Sequence, residues 1–400
     1  MIAAPGPRAG TLASSGNPLV LPADLGIASD QLRGRAGRAA QSASAVAIPT
    51  EPIGSIPRPH ALIEATRAFQ IGRLSEAELQ SHYESAVQDT VGRLEAIGSP
   101  IVTDGEQGKD SFVTYPIRGL RNIDANGFPI LFADGHVRQF PRLTQGPFRY
   151  RTPADAYLGT AQRYAHVPVK QAVASPSALS LLYPQEGIPG YSREEYLDDL
   201  LGEQEAEVTR CLAKGAHVVQ IDFTEARLSI RLDPTGRLLS SFIELNNLLL
   251  ERFSAEQRRH IGIHSCAGSD RNSTHSRGID YGALLPSLFE LDVKNFYLQL
   301  ASEPDREQVL KTIRKFMKAD HRIFVGVIDV LDPRIETPGE VSDRILQAAK
   351  YIPLDQLGTT DDCGFAPFSD DTSRPRDTAF AKIQSRVAGT FMAARVLGIE

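Results

Sequence analysis

The sequence predicts an α/β fold: a single (β/α)8 barrel of the TIM type with a long insertion after its second strand. Three observations carry this reading. From residue 48 onward, eight short apolar or β-branched runs alternate with amphipathic stretches, the number a closed parallel barrel needs under its outer ring of helices. Polar residues that end these runs would gather at one mouth, where barrels keep their chemistry. The 400 residues, 42% hydrophobic and 23% charged, match globular composition and suffice for one large barrel. A doubly wound open sheet gives a similar alternation, and the count of eight is what favours closure.

Residues 1–46 read as a flexible leader. They are rich in Ala, Gly and Ser, carry Arg33, Arg35 and Arg38 close together, and show little periodicity. No charged n-region precedes an apolar h-region, which excludes a secretory signal. Asp24 and Asp30 and the missing amphipathic stripe argue against an organellar transit peptide. Residues 47–400 would form the barrel. Strands are expected at Pro49–Ser55, Pro100–Glu106, Val169–Ser175, His217–Phe223, His260–Cys266, Asn295–Ser302, Arg322–Asp329 and Gln356–Gly364. Helices are expected at Ser75–Ile97, Arg193–Lys214, Ser241–Phe253, Tyr281–Leu291, Asp305–Met317, Pro338–Tyr351 and Ala379–Leu397, the first opened by Ser75 and Glu78 at capping-box spacing. Residues 109–168 break the alternation with Pro, Gly and aromatic residues, and Ala125-Asn126-Gly127 is a hairpin-turn signal. They form the expected insertion.

Composition narrows the function. Lys plus Arg number 43 against 49 Asp plus Glu, a net charge of −6, so no basic excess is available for a nucleic-acid backbone. No run of ~18 apolar residues exists to span a membrane. Cys211, Cys266 and Cys363 are too few for a disulfide framework and fit a reducing, cytoplasmic compartment. The chain has no Trp.

The strongest local signal is Ile261-Gly-Ile-His264-Ser-Cys266. An i, i+2 pair at the end of an apolar strand points both side chains to one side, offering one imidazole and one thiolate to the same point. That donor set suits Zn2+, although a core His beside a buried Cys is the commoner meaning of such a pair taken alone. Cys363 lies between Asp362 and Gly364 at the end of the last expected strand, and in a closed barrel it would reach the same mouth. Cys211 sits inside an expected helix and reads as core. Ser55, Glu106 and Asp222 end three further strands. Carboxylates buried there are costly unless they meet a cation, a donor or a metal; helix capping, or pairing with Arg58 and Arg227, is the structural alternative.

Taken together, Ile53-Gly-Ser55, Asp104-Gly-Glu106, Gln220-Ile-Asp222, His264-x-Cys266 and Asp362-Cys363-Gly364 resemble the cobalamin-independent methionine synthase family. The likeness runs from about Ile48 to Leu397, to its C-terminal zinc barrel and short single-barrel relatives. The resemblance implies a zinc-dependent S-methyltransferase of methionine biosynthesis. In that family a metal-activated homocysteine thiolate takes the methyl group of 5-methyltetrahydropteroyltriglutamate. It further implies His264, Cys266 and Cys363 as zinc ligands and Ser55, Glu106 and Asp222 as the residues that hold the amino-acid part of the thiol. The chain departs from the family in four ways. Gln299 aligns with the family's Glu ligand, so the fourth position would be open or taken by Glu303, Glu225 or Asp362. Leu331 aligns with the proton-donating His, whose role His136 or Tyr115 could fill. The Trp that stacks on the pterin has no counterpart, and the duplicated N-terminal barrel is missing. Two alternatives stay open: zinc-dependent alkyl transfer to another thiol, such as epoxide opening by coenzyme M with Arg118, Arg138, Arg142 and Arg149 near the sulfonate, and a degenerate barrel that binds zinc or thiol without turnover.

Overall fold

A computed structural model describes residues 48–399. The expected leader lies outside the described residues. Six parallel strands form one sheet: β3 Gln171–Ala174, β4 Val219–Asp222, β5 Ile261–Ser265, β8 Asn295–Leu298, β9 Arg322–Ile328 and β10 Leu357–Asp361, paired in that order. Two extended segments close the ring. Thr50 bridges Thr359 in parallel, with Glu51 N–H donating to Thr359 O (3.0 Å) and Thr359 N–H to Pro49 O (2.8 Å). Val102 bridges Val169, with Lys170 N–H donating to Val102 O (2.9 Å). The two closing segments meet where Ile56 N–H donates to Gly105 O (3.0 Å) and Thr103 Oγ1 to Gly54 O (3.0 Å). Eight segments therefore close a (β/α)8 barrel. The first two are held by single bridges rather than ladders, because Pro49, Pro52, Pro57 and Pro100 remove donors along them.

The strands are buried along their whole length, apart from the exposed first residue of β9, which is why they read as apolar runs rather than alternations. The helices outside them begin as their caps dictate. Ser75 Oγ accepts from Glu78 N–H (3.3 Å) while Glu78 Oε2 accepts from Ser75 N–H (2.8 Å), opening Glu76–Ala96. Ser192 with Glu195 and Thr337 with Glu340 repeat the device. The expected helix at Ser241 starts earlier, at Arg237, because Gly236 adopts φ 80 and Asp233 accepts from Leu238 N–H. Helices His60–Gln70 and Glu225–Leu232 were not anticipated.

Residues from the first, third and sixth barrel segments meet in the interior. Tyr297 OH donates to Glu51 Oε2 (2.6 Å), and Lys170 Nζ lies 3.3 Å from Glu51 Oε2 and 3.3 Å from the Tyr297 ring centre. Burial would raise the Glu51 carboxyl, but Lys170, His217 and Tyr297 together hold it at about 2.

Between the second and third barrel segments, β1 Ile123–Leu131 and β2 Val137–Leu143 form an antiparallel hairpin. The expected Asn126-Gly127 turn is not the turn. Those residues sit inside β1 at a register shift between Asp124 and Phe128, and a Cβ on Gly127 would collide with the Phe140 carbonyl. The chain reverses at Asp134-Gly135, with Gly135 at φ 93 and Phe132 N–H donating to His136 O (2.9 Å). This tip docks on the short pair β6 Ser269–Asp270 and β7 Ser273–Thr274, through Ala133 N–H to Thr274 O (2.9 Å). No helix among the described residues is long and apolar enough to cross a membrane.

Candidate functional site

His264, Cys266 and Cys363 come together at the C-terminal mouth, one ligand-capable atom from each lying within 4.8 Å of the others. Strand geometry brings them there. His264 is the fourth residue of β5 and Cys266 follows its end on the same side, while Cys363 follows β10 three neighbours around the sheet. The two Sγ atoms are 2.8 Å apart and neither cysteine is in a disulfide. Tyr297 O lies 3.2 Å from His264 Nδ1 and fixes the ring, which leaves Nε2 buried and without a partner. An orphaned imidazole nitrogen beside two adjacent sulfurs is costly as a bare cluster and well suited to a soft or borderline cation. Hydrogen bonding from Cys266 and the nearness of His264 hold the Cys363 thiol well below its usual range, while burial pushes Cys266 up.

Each residue expected as a fourth ligand has other partners. Gln299 is turned aside: its Oε1 accepts from Ala267 N–H (2.7 Å) and its Nε2 donates to Glu303 Oε1 (2.7 Å) and Ser302 Oγ (2.9 Å). Glu303 is paired with Arg227 (2.8 Å), and Glu225 accepts from Ser175 (2.5 Å) and Ser177. Asp362 accepts the backbone N–H groups of Leu300, Ala301 and Ser302 at 2.7–2.9 Å. None of the three carboxylates joins the cluster of ligand-capable His, Cys, Asp and Glu atoms.

Ser55, Glu106 and Asp222 line one cavity of about 390 Å3 whose floor includes His264 and Cys363. Ser55 Oγ accepts from Ala366 N–H (3.2 Å), and a Cβ at Gly364 would collide with it, so glycine after Cys363 lets the first and last barrel segments converge. Glu106 has φ 56 directly after Gly105 at φ 65, a left-handed turn that a non-glycine residue adopts at a cost of about 1–2 kcal/mol. Arg58 braces this turn by donating to Glu106 O (2.6 Å) and Lys109 O (2.8 Å), and also to Ala366 O. Arg58 therefore positions the loop through backbone carbonyls, and its charge also favours the ionised form of Glu106. Glu106 Oε2 has no partner and Lys109 Nζ lies 3.6 Å from Oε1. Burial raises the Glu106 carboxyl to about 7 despite Lys109, with Asp222 adding to the rise. Burial also raises Asp222, against His264 and the Gln220 amide, which donates to it at 2.7 Å. Burial thus disfavours the charged form of both carboxylates.

The proposed proton donors are engaged elsewhere. Tyr115 OH donates to buried Glu207 (2.8 Å), and His136 lies between Asp134 (2.6 Å) and Asp270 (2.9 Å). The four arginines of the insertion are paired too: Arg118 with Asp110, Arg138 with Asp270 and Asp370, Arg142 with Asp124 and Glu186, Arg149 with Asp199 and Glu203. Sequence reasoning missed Lys109, the brace from Arg58, and His275, which lines the cavity with Nδ1 2.7 Å from Ser276 Oγ and is pulled by burial to about 4. It also missed the aromatic wall of Phe112, Phe132, Phe140 and Phe368. Only the run of aromatics in the insertion hinted at that wall. A second cavity of about 480 Å3 shares Gly268, Ser269 and Cys363 with the first and contains Gln299 and Leu331.

Residues 48–388 match the family model described as the catalytic domain of cobalamin-independent synthase. A methionine synthase of Sulfurisphaera tokodaii is 25% identical over 343 residues, covering 86% of this chain and 91% of that protein. A 5-methyltetrahydropteroyltriglutamate–homocysteine methyltransferase of Vibrio cholerae is 23% identical over 319 residues; 79% of this chain aligns to 40% of that longer protein. Among solved structures, a B12-independent methionine synthase from Shewanella sp. W3-18-1 superposes with a TM-score of 0.68 at 21% identity. It covers 88% of this chain and 100% of that one.

Proposed function

This chain belongs to the cobalamin-independent methionine synthase family, and on that premise we propose that its barrel mouth transfers a methyl group to the thiol of homocysteine, with zinc held by His264, Cys266 and Cys363. The family's donor, a methylated folate, is the donor this reading carries over. The observation that supports it most is the orphaned His264 Nε2 beside the two cysteine sulfurs, opening into the cavity that also holds Ser55, Glu106 and Asp222.

The chemistry divides among the residues. A bound zinc supplies a charge that keeps a thiol ionised at neutral pH while its sulfur stays nucleophilic. Glu106 and Asp222 receive the ammonium group of homocysteine, which relieves the mutual repulsion of the two carboxylates. Ser55 Oγ, together with the nearby backbone, receives the carboxylate. Holding both ends fixes the thiol's reach from the cavity floor, so orientation supplies part of the rate. A reducing, cytoplasmic setting belongs to this reading, because two sulfurs 2.8 Å apart would be lost as ligands on oxidation.

The alternative of a sulfonate-bearing thiol is not favoured. The insertion's arginines are already paired, and the cavity floor presents carboxylates. Methionine formation from homocysteine and methyltetrahydrofolate, measured with zinc-loaded protein, tests the proposal. Turnover that survives complete removal of the metal would refute it.

A further inference from the structure

The same cavity carries a chemistry that a pterin donor does not explain. Five carboxylates line the cavity: Glu106, Asp110, Asp222, Glu225 and Asp370. Among the described lining residues Arg138 is the one Arg or Lys, and Asp270 and Asp370 hold it at 2.6 and 2.9 Å. Asp110 pairs with Arg118, Asp370 with Arg138 and Arg271, and Lys109 Nζ lies 3.6 Å from Glu106, which leaves Asp222 and Glu225 as the lining carboxylates without an Arg or Lys ion pair among the described residues.

Glu225 is the distinctive group. It is 5% exposed, and its Oε1 accepts from Ser175 Oγ (2.5 Å) and Ser177 Oγ, the latter held by Asn246 Nδ2 (2.9 Å). Its Oε2 is buried with no partner, in a wall shared with Ala178, Leu181 and Leu228. Phe112, Phe132, Phe140 and Phe368 line the same cavity, with Arg138 already over the Phe368 ring (4.4 Å) and His136 stacked on Phe132 (4.3 Å). An unpaired carboxylate among aliphatic and aromatic side chains is the surrounding that binds organic cations without hydrogen-bond donors, through ion pairing and the negative faces of the rings. The hydroxyls that hold Oε1 fix the carboxylate in place and leave Oε2 for the ligand.

We propose that this cavity binds methyl-onium compounds, with Glu225 as counter-ion, and that the chain transfers their methyl group to the thiol substrate. In the step, the thiolate sulfur forms a bond to the methyl carbon. The bond from that carbon to the onium sulfur or nitrogen breaks, its electron pair stays with the leaving atom, and a neutral thioether or tertiary amine departs. No proton or electron is exchanged. The inference rests on the thiol-activation reading and concerns only the donor.

The test uses zinc-loaded full-length protein with homocysteine, and trimethylsulfonium or choline as donor. Methionine formation with release of dimethyl sulfide, or of dimethylaminoethanol, supports the proposal and tells the sulfonium branch from the ammonium one. Calorimetry supplies a readout independent of turnover: tetramethylammonium should bind at least tenfold tighter than neutral tert-butanol of similar size. Glu225→Gln should weaken that binding tenfold or more while zinc content holds. Methionine formed from methyltetrahydrofolate, with neither onium compound bound nor consumed, overturns the proposal and leaves the thiol-activation reading intact. If homocysteine itself fails to reach the metal, the thiol-activation reading falls, and the proposal with it.

Discussion

His264 and Cys266 are two residues apart on one strand, so pleating alone puts them on one side. Cys363 joins them only because the barrel closes. That is why the pair was legible in the sequence while the trio needed the fold. Replacing Cys363 by Ser removes a sulfur from a buried cluster without changing side-chain volume much. Metal content should fall from about one per chain to near zero and methyl transfer should be lost, with the circular dichroism spectrum unchanged; a Ser variant that keeps both metal and turnover would take Cys363 out of the site. Glu106→Gln should raise KM for homocysteine about tenfold, the scale of one charged hydrogen bond, and leave KM for 4-mercaptobutanoate, which lacks the amine, unchanged. Equal effects on both thiols would remove the ammonium assignment. Because burial raises Glu106 to about 7, wild-type homocysteine affinity should weaken as pH falls below 7 and its carboxylate takes up a proton. Gln299→Glu tests a departure the sequence displayed but could not interpret. The amide bridges Ala267 and Glu303, and a carboxylate there would lose a donor and face a like charge. The structure predicts a lower melting temperature with zinc affinity unchanged, whereas tighter zinc would place residue 299 among the ligands.

At the scale of elements, local rules recovered most of what they govern. Ser75 and Glu78 cap the helix they announced, and six of the eight apolar runs became strands within a few residues of their expected ends, the first two forming only single bridges. The failures have physical reasons. Asn126-Gly127 carries turn chemistry, but glycine serves there for the close approach of Phe140, and the real reversal uses Asp134-Gly135. The hairpin's docking on β6 and β7 depends on pairing between segments more than 130 residues apart, which no local pattern encodes. The element most tied to the site is the end of β10. Asp362 there ties three backbone N–H groups after β8 and so fixes the strand end that presents Cys363. Asp362→Ala would strand those donors, costing about 3 kcal/mol, and should lower the denaturation midpoint while also loosening zinc. A midpoint within error of wild type would show that the tie carries no weight.

For the whole molecule, the alternation and count of eight were enough to expect a barrel, because parallel strands buried on both faces leave continuous apolar signatures. What the sequence did not display was its interior, where Glu51, Lys170 and Tyr297 come from distant segments. Glu51 is held at about 2 against an ordinary 4.5, so its contribution to stability is full above pH 4.5 and is lost as pH falls toward 2. Acid unfolding of Glu51→Gln should accordingly show a shallower slope between pH 4.5 and 2 than wild type; identical slopes would mean the interior pair does not couple folding to protons. The central claim, that this barrel activates a thiol on a metal held by one imidazole and two cysteines, is tested most directly by zinc-edge X-ray absorption of the purified protein with and without homocysteine. The account predicts one zinc per chain with two sulfur neighbours, rising to three when homocysteine is added. Absence of zinc, or a sulfur count that stays at two, would contradict it.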